Sequence, residues 1–170
     1  MNALVVYESM FGNTKQVAEA VAKGLATRIP AEVVEVGAAP AEIGPEIGLL
    51  VVGGPTHAFS MSRASTRQSA AQQATGPLVS LGDGVREWLA TLSTSTSGLR
   101  AASFDTRVPK APGSAARAVA KRLRRRGIRP MSPAQSFYVT ATLGPLVEGE
   151  LERAEEWGES LVASFPVLTA

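Results

Sequence analysis

The chain has 170 residues, of which 45% are hydrophobic and 19% charged, and its formal net charge is +2. This size and balance predict one globular domain over residues 1–170 and exclude a disordered chain. No apolar run approaches the roughly 20 residues of a membrane helix and no secretory signal is visible, so we expect a cytoplasmic protein without a membrane span. The chain has no cysteine and one histidine, which excludes disulfides, iron–sulfur clusters and histidine-rich metal sites.

Five short apolar runs predict β-strands, at residues 3–7, 33–36, 49–53, 99–104 and 137–142. Segments of helical pattern or composition lie between and after them, at residues 14–26, 63–73 with 84–92, 114–126 and 148–165. The stretch 40–47, which Pro and Gly punctuate, predicts one short helical turn. Strands and helices that alternate in this way predict an α/β fold, a doubly wound five-stranded parallel sheet of order 2-1-3-4-5 with helices on both faces.

The most informative segment is the loop at residues 9–14, between the first strand and the first helix. The hydroxyls of Ser9 and Thr14 gather there with free backbone N–H groups at a helix N-terminus, which favours an anion. Gly12 allows a tight turn or the close approach of a ligand. The same residue types also form capped turns without any ligand, so both interpretations stay open. The P-loop and dinucleotide fingerprints are absent, which leaves a monophosphate as the predicted anion.

This loop and the helix start after it, residues 7–21, resemble the phosphate-binding segment of the flavodoxin-like family. Members of that family carry Ser/Thr-x-Thr-Gly-x-Thr after the first strand, where it holds the phosphate of FMN. Ser9, Gly12 and Thr14 match this pattern, whereas Phe11 stands where a third hydroxyl residue is usual. The resemblance implies FMN as the cofactor, with loop contacts from Ser9, Met10, Phe11, Gly12, Asn13 and Thr14.

The resemblance implies two further contact segments at the same edge of the sheet. The segment after the third strand would wrap one side of the flavin ring and comprises Pro55, Thr56, His57, Ala58, Phe59 and Ser60. His57 or Phe59 could stack on the ring; otherwise His57 caps a helix or bonds a carbonyl, and Phe59 belongs to the core. The segment after the fourth strand would hold the other ring edge and comprises Phe104, Asp105, Thr106 and Arg107. Arg107 would stabilise charge on a reduced ring or pair locally with Asp105.

The functions that the resemblance implies are electron transfer with a redox partner protein, or a small NAD(P)H-dependent or quinone-type reductase. The alternative is a flavodoxin-shaped interaction module that has lost FMN binding. Phe11 favours this alternative, as does the absence of Tyr or Trp after the fourth strand. The sequence leaves an oligomer open.

Other functions are excluded by missing motifs. A phosphate-accepting receiver domain needs clustered carboxylates, but Glu8 is alone in its loop, and no Gly-x-Ser-x-Gly hydrolase motif is present. Six basic residues cluster at 121–129. They predict the C-terminal end of a helix with Gly127 as its cap rather than a nucleic-acid site, because no aromatic residues are interleaved.

Overall fold

The computed structural model describes residues 1–166. Their strands are β1 (Asn2–Tyr7), β2 (Ala31–Glu35), β3 (Glu42–Ile43), β4 (Ile47–Pro55), β5 (Ser93–Thr94), β6 (Arg100–Arg107) and β7 (Gln135–Tyr138). Their α-helices are α1 (Asn13–Leu25), α2 (Ala64–Gln73), α3 (Val85–Thr91), α4 (Ala115–Arg125) and α5 (Glu150–Val162), and a short 3₁₀ helix spans Val36–Ala38. None of the helices in this range is long and apolar enough to cross a membrane.

Five of the strands form one parallel sheet in the order β2-β1-β4-β6-β7. Numbered within the sheet, this is the predicted order 2-1-3-4-5, which is confirmed. The chain runs from β1 outward to β2 and then returns to the other side of β1 at β4. Strand order therefore reverses between β1 and β4, and the crevice at their carboxyl ends is where sheets of this kind bind ligands.

Apolar side chains cover both faces of the sheet, as expected for buried parallel strands. Helices α1 and α5 pack together on one face, and α3 and α4 cover the other. Trp157 of α5 packs against aromatic residues of the sheet. Its ring meets Phe104 and Phe137 edge to face, with centroid distances of 6.1 and 5.9 Å, a favourable arrangement for aromatic pairs.

The helical turn predicted for residues 40–47 is wrong, because β3 forms there. It pairs with β5 in a separate two-stranded sheet, and the Ser93 N–H donates to the carbonyl of Ala41 at 2.9 Å. The only helical turn in this part of the described chain comes earlier, at Val36–Ala38, where the Glu35 carboxylate accepts from the Gly37 N–H. Pairing with β5, about 50 residues later in the chain, thus determines the conformation of this segment, although its Pro and Gly residues predict a turn.

Two strand ends also differ from the prediction. β6 continues through Arg107, so the segment expected as a loop after the fourth strand is the last part of that strand, paired with β4 and β7. The fifth predicted strand ends early, at Tyr138, because the chain then turns back and Thr140 N–H donates to the carbonyl of Pro145. As predicted, Gly127 ends α4 with a positive φ of 78°.

Candidate functional site

A cavity of about 280 Å³ opens at the carboxyl edge of the sheet, where the strand order reverses. This volume is near the lower end of the range for small-molecule sites, about 300–1,000 Å³. The cavity collects ten of the residues that the sequence predicted: Met10, Phe11, Asn13, Thr14, Pro55, Thr56, His57, Ala58, Thr106 and Arg107. The other predicted residues do not line it: Ser9, Gly12, Phe59, Ser60, Phe104 and Asp105.

The loop between β1 and α1 is stabilised by a hydrogen bond between two of its own residues. The Gly12 N–H donates to the Ser9 hydroxyl at 3.0 Å, and Gly12 adopts a φ of 99° that L-residues rarely reach. Ser9 is buried, so its hydroxyl holds the turn instead of lining the cavity. Ser80 anchors the loop from outside, because its hydroxyl accepts from the Ser9 N–H at 3.0 Å and its own N–H donates to the Ser9 carbonyl at 2.7 Å.

This turn leaves a group of backbone donors unused. Within residues 1–166 no hydrogen-bond acceptor faces the N–H groups of Met10, Phe11, Asn13, Thr14 and Lys15. The last three open α1, where the first turn of a helix has no acceptor of its own. Donors that converge at a helix N-terminus attract an anion such as phosphate. No heavy atom lies within 4 Å of the place where a Cβ on Gly12 would stand, so the approach on that side is open.

Two threonine hydroxyls join the loop to the end of β6. The Oγ1 atoms of Thr14 and Thr106 are 2.8 Å apart, and both residues are buried and line the cavity. One hydroxyl donates to the other, and the accepting hydroxyl keeps its own proton for a further partner. The pair therefore adds one more donor beside the free N–H groups.

A tight hairpin turn forms the next part of the wall. His57 and Ser60 exchange both backbone hydrogen bonds, at 2.8 and 3.1 Å, and the two residues between them, Ala58 and Phe59, have φ values of 45° and 75°. Two positive φ angles define a type I′ turn, which normally carries Asn-Gly. The turn is held from below, where the Ser114 N–H donates to the Phe59 carbonyl at 3.1 Å.

The side chain of Phe59 is 65% exposed and does not line the cavity, so the core role considered for it is wrong. A residue at the tip of a two-residue turn projects outward because the two strands behind it take up the inner positions. Ser60 also lies outside the cavity, since it closes the hairpin.

His57 lines the cavity and is held by the first turn of α2. Its Nδ1 lies 3.1 Å from the Oγ1 of Thr66, a side-chain contact and not the backbone contact considered for it. Burial lowers the pKa of His57, and the nearby positive charge of Arg67 lowers that pKa further. The neutral imidazole is therefore the favoured form at neutral pH.

Phe104 and Asp105 do not line the cavity, and both side chains are fully buried on the last part of β6. The Phe104 ring belongs to the aromatic cluster described above. Asp105 caps α4, where its Oδ2 accepts from the Ser114 hydroxyl and from the Ala116 N–H at 3.0 Å. The local ion pair proposed for Asp105 and Arg107 does not form in the described chain.

Arg107 lines the cavity, and several contacts hold its guanidinium group in place. Its guanidinium donates to the Ser136 hydroxyl at 3.0 Å and to the carbonyls of Ala111 and Gly113 at 2.8 and 3.2 Å. It also lies over the Tyr138 ring, 5.6 Å from the centroid. These contacts fix the position of its positive charge at the edge of the cavity.

Sequence reasoning missed one whole wall, the helix α2. The cavity residues that were not predicted are Thr66, Ser69, Ala70, Gln73, Val108, Val139 and Thr142. Those of α2 recur at the three- to four-residue spacing of one helix face, and this spacing was the available signal. The helix predicted at 63–73 forms, but its composition did not indicate that this face would line the cavity.

A buried polar network fixes the orientation of α2 from its other side. Arg67 donates to the Ser62 hydroxyl at 2.8 Å and forms an ion pair with Glu87 of α3. Ser62 donates to Glu8, whose other oxygen accepts from the Val85 N–H at 2.8 Å. Burial raises the pKa of Glu8, although its hydrogen bonds and Arg67 act in the opposite direction. The network thus ties α2 and α3 to the carboxyl end of β1.

No protein-family model matches this chain, and no curated protein does either. Solved structures do. An archaeal flavodoxin is 20% identical, with a TM-score of 0.66 over 96% of this chain and 98% of that one. Oxidised flavodoxin 1 from Bacillus cereus is 18% identical, with a TM-score of 0.68 and the same coverage of both chains. The flavodiiron core of Flv1 from Synechocystis is 17% identical, with a TM-score of 0.62 over 96% of this chain and 36% of that one. The chain therefore has the flavodoxin-like fold.

Proposed function

We propose that the protein binds FMN in this cavity and serves as an electron carrier for a redox partner protein. The observation that carries the proposal is the set of unused N–H donors of residues 10–15 beside the hydroxyl pair of Thr14 and Thr106. Most of these donors belong to residues that line a cavity at the sheet edge where this fold class binds ligands. Solved flavodoxins of the same fold add support.

The lining of the cavity offers groups suited to both parts of FMN. The donors of the β1–α1 loop suit the phosphate, since they combine N–H groups, a hydroxyl and the positive end of a helix. Pro55, Thr56 and Ala58 offer a mixed apolar and polar surface of the kind that flanks a planar ring, and Arg107 fixes a positive charge near that surface. When bound, FMN supplies reversible electron acceptance, while the chain supplies placement, electrostatics and exclusion of water.

The position of α2 favours a carrier over a reductase. A reductase needs space for a nicotinamide or a quinone beside the flavin ring. Here α2 forms one wall of the cavity beside Pro55 and Thr56, and the network around Arg67 holds the helix in place. Electron exchange through the open edge of the ring fits this geometry better than hydride transfer from a stacked cofactor.

The binding test is a titration of FMN with the purified protein, followed by the quenching of flavin fluorescence. We expect stoichiometric quenching by FMN and much weaker quenching by riboflavin, which lacks the phosphate. A protein that quenches neither flavin would contradict the proposal and favour the interaction module, in which Phe11 has replaced a phosphate donor.

The carrier test is anaerobic stopped-flow mixing of the FMN-loaded protein with NADH or NADPH. For a carrier we expect slow bleaching of the flavin by either nucleotide and fast bleaching by a one-electron donor such as a reduced viologen. Fast bleaching by a nucleotide would replace the carrier with the reductase function, with a quinone as the candidate acceptor.

A further inference from the structure

The ring of His57 is oriented by the hydroxyl of Thr66, whose other hydrogen bonds leave it able only to accept a bond from His57. The Thr66 hydroxyl donates to the carbonyl of Arg63 at 3.0 Å and accepts from the N–H of Arg63 at 2.8 Å. A threonine hydroxyl has one proton and two lone pairs. With its proton committed to the carbonyl, Thr66 has only a lone pair for His57, whose Nδ1 is 3.1 Å away. This arrangement favours the tautomer that carries the proton on Nδ1 and none on Nε2.

Nε2 is then a free acceptor in a residue that lines the cavity. Within residues 1–166 no other hydrogen bond reaches the His57 side chain. The charged groups around it are cations: Arg67 on α2 acts on its pKa, and Arg107 of β6 lines the same cavity. No carboxylate is among the residues of the described chain that line the cavity. The surroundings thus favour a neutral imidazole until negative charge arrives.

We infer that His57 is the proton acceptor of this site, with Nε2 unprotonated in the resting protein and protonated when the ligand becomes negatively charged. The inference rests on the proposed function. Where reduction would leave one negative charge on a bound flavin, one proton would move from solvent to Nε2, so that the imidazole would become imidazolium. The electron comes from the redox partner and the proton from water, and the net charge of the site stays constant.

The first test needs no flavin, because His57 is the only histidine of the chain. Two-dimensional ¹H–¹⁵N NMR of protein labelled at histidine gives the tautomer of this one ring directly. We expect the Nδ1–H tautomer at pH 7.5 and a titration midpoint below that of free histidine. An Nε2–H tautomer in the unloaded protein would overturn the inference, whatever the protein binds.

A matched pair of variants tests the orienting role of Thr66. Thr66→Ser keeps the hydroxyl, and we expect it to keep the tautomer of the parent protein. Thr66→Val removes the hydroxyl, and we expect it to lose the preference for Nδ1–H while circular dichroism confirms that α2 still forms. Identical histidine spectra for the two variants would show that Thr66 does not set the tautomer.

The second test uses the FMN-loaded protein in two oxidation states. We expect the titration midpoint of His57, followed by NMR, to rise by at least one pH unit on full reduction, a tenfold change in proton affinity. The midpoint potential of the flavin should depend on pH between the two titration midpoints, and His57→Gln, which keeps a donor for Thr66, should remove that dependence. An unchanged histidine titration on reduction would overturn the inference and leave FMN binding intact, whereas failure to load FMN would count against the proposed function alone.

Discussion

The β1–α1 loop and the wall formed by residues 56–73 line the same cavity, yet they are held in different ways. The loop is shaped mainly by its own residues, through the bond from Gly12 to Ser9 and the positive φ of Gly12, with Ser80 as its anchor. The wall instead depends on a buried ionic network, in which Arg67 of α2 pairs with Glu87 of α3 and bonds Ser62.

Because of this difference, mutations in the two regions should affect different properties, ligand affinity in one and stability in the other. The loop presents free donors, so a change there should alter ligand affinity more than folding. The wall contains buried charges and a strained turn, so a change there should alter folding first.

Arg67→Ala should have the largest effect on folding. It leaves the buried carboxylate of Glu8 and the partly buried carboxylate of Glu87 without their cation, and losing one partner of a buried pair costs about 3 kcal/mol. Urea unfolding followed by circular dichroism measures the loss. Arg124→Ala is the control, because Arg124 is exposed and forms no ion pair within residues 1–166. Equal losses in the two variants would show that the network does not stabilise the wall.

Thr14→Val should weaken FMN by about 1.5–3 kcal/mol, the contribution of a hydrogen bond to a charged group, which is roughly 10- to 150-fold in Kd. Riboflavin lacks the phosphate and should lose much less. Fluorescence titration of both flavins measures the difference, and Thr27→Val, whose hydroxyl bonds the carbonyl of Gly24 outside the cavity, is the control. An equal loss of affinity for the two flavins would show that this loop does not bind the phosphate.

Ala58→Gly should stabilise the protein by about 0.5–1 kcal/mol. Ala58 has a φ of 45°, a region that strains an L-residue and that glycine enters freely. The greater freedom of glycine in the unfolded chain offsets part of the gain. Gly12→Ala is the opposite change at a φ of 99° and should destabilise by about 1 kcal/mol. Thermal unfolding compares the two variants, and a loss of stability in Ala58→Gly would mean that the turn is not strained.

Glu8→Gln should change the pH dependence of folding more than its magnitude at any one pH. Burial raises the pKa of Glu8, so the folded state holds this proton more tightly than the unfolded state does. The associated stability is full below the ordinary carboxyl pKa and is lost as the pH rises through the raised value. Urea midpoints between pH 4 and pH 8 should therefore fall more steeply in the parent protein than in the variant. Parallel profiles would contradict the raised pKa.

The sheet and the β1–α1 loop could be predicted because their signals are local. Continuous apolar runs mark buried parallel strands, and Ser9, Gly12 and Thr14 combine a turn with a helix start. Strand order follows from topology rules that need few contacts. The same reasoning missed β3, because its pairing with β5 depends on a segment about 50 residues later.

The ring side of the cavity could not be predicted in the same detail. Phe104 and Thr106 lie on one strand, yet one is in the core and the other in the cavity, and only the true end of β6 distinguishes them. The sequence pattern predicts Phe59 as an aromatic contact, but in the structure it lies in the type I′ turn and is largely exposed. The face that α2 presents depends on Arg67 and its partners, a network that has no sequence motif.

The most direct test of the central claim is a crystal structure of the protein soaked with FMN. We predict density for the phosphate against the N–H groups of residues 10–15 and the Thr14 hydroxyl, with the flavin ring beside Pro55 and Ala58. A map that shows no flavin there, or shows the Phe11 side chain in place of the phosphate, would contradict the account.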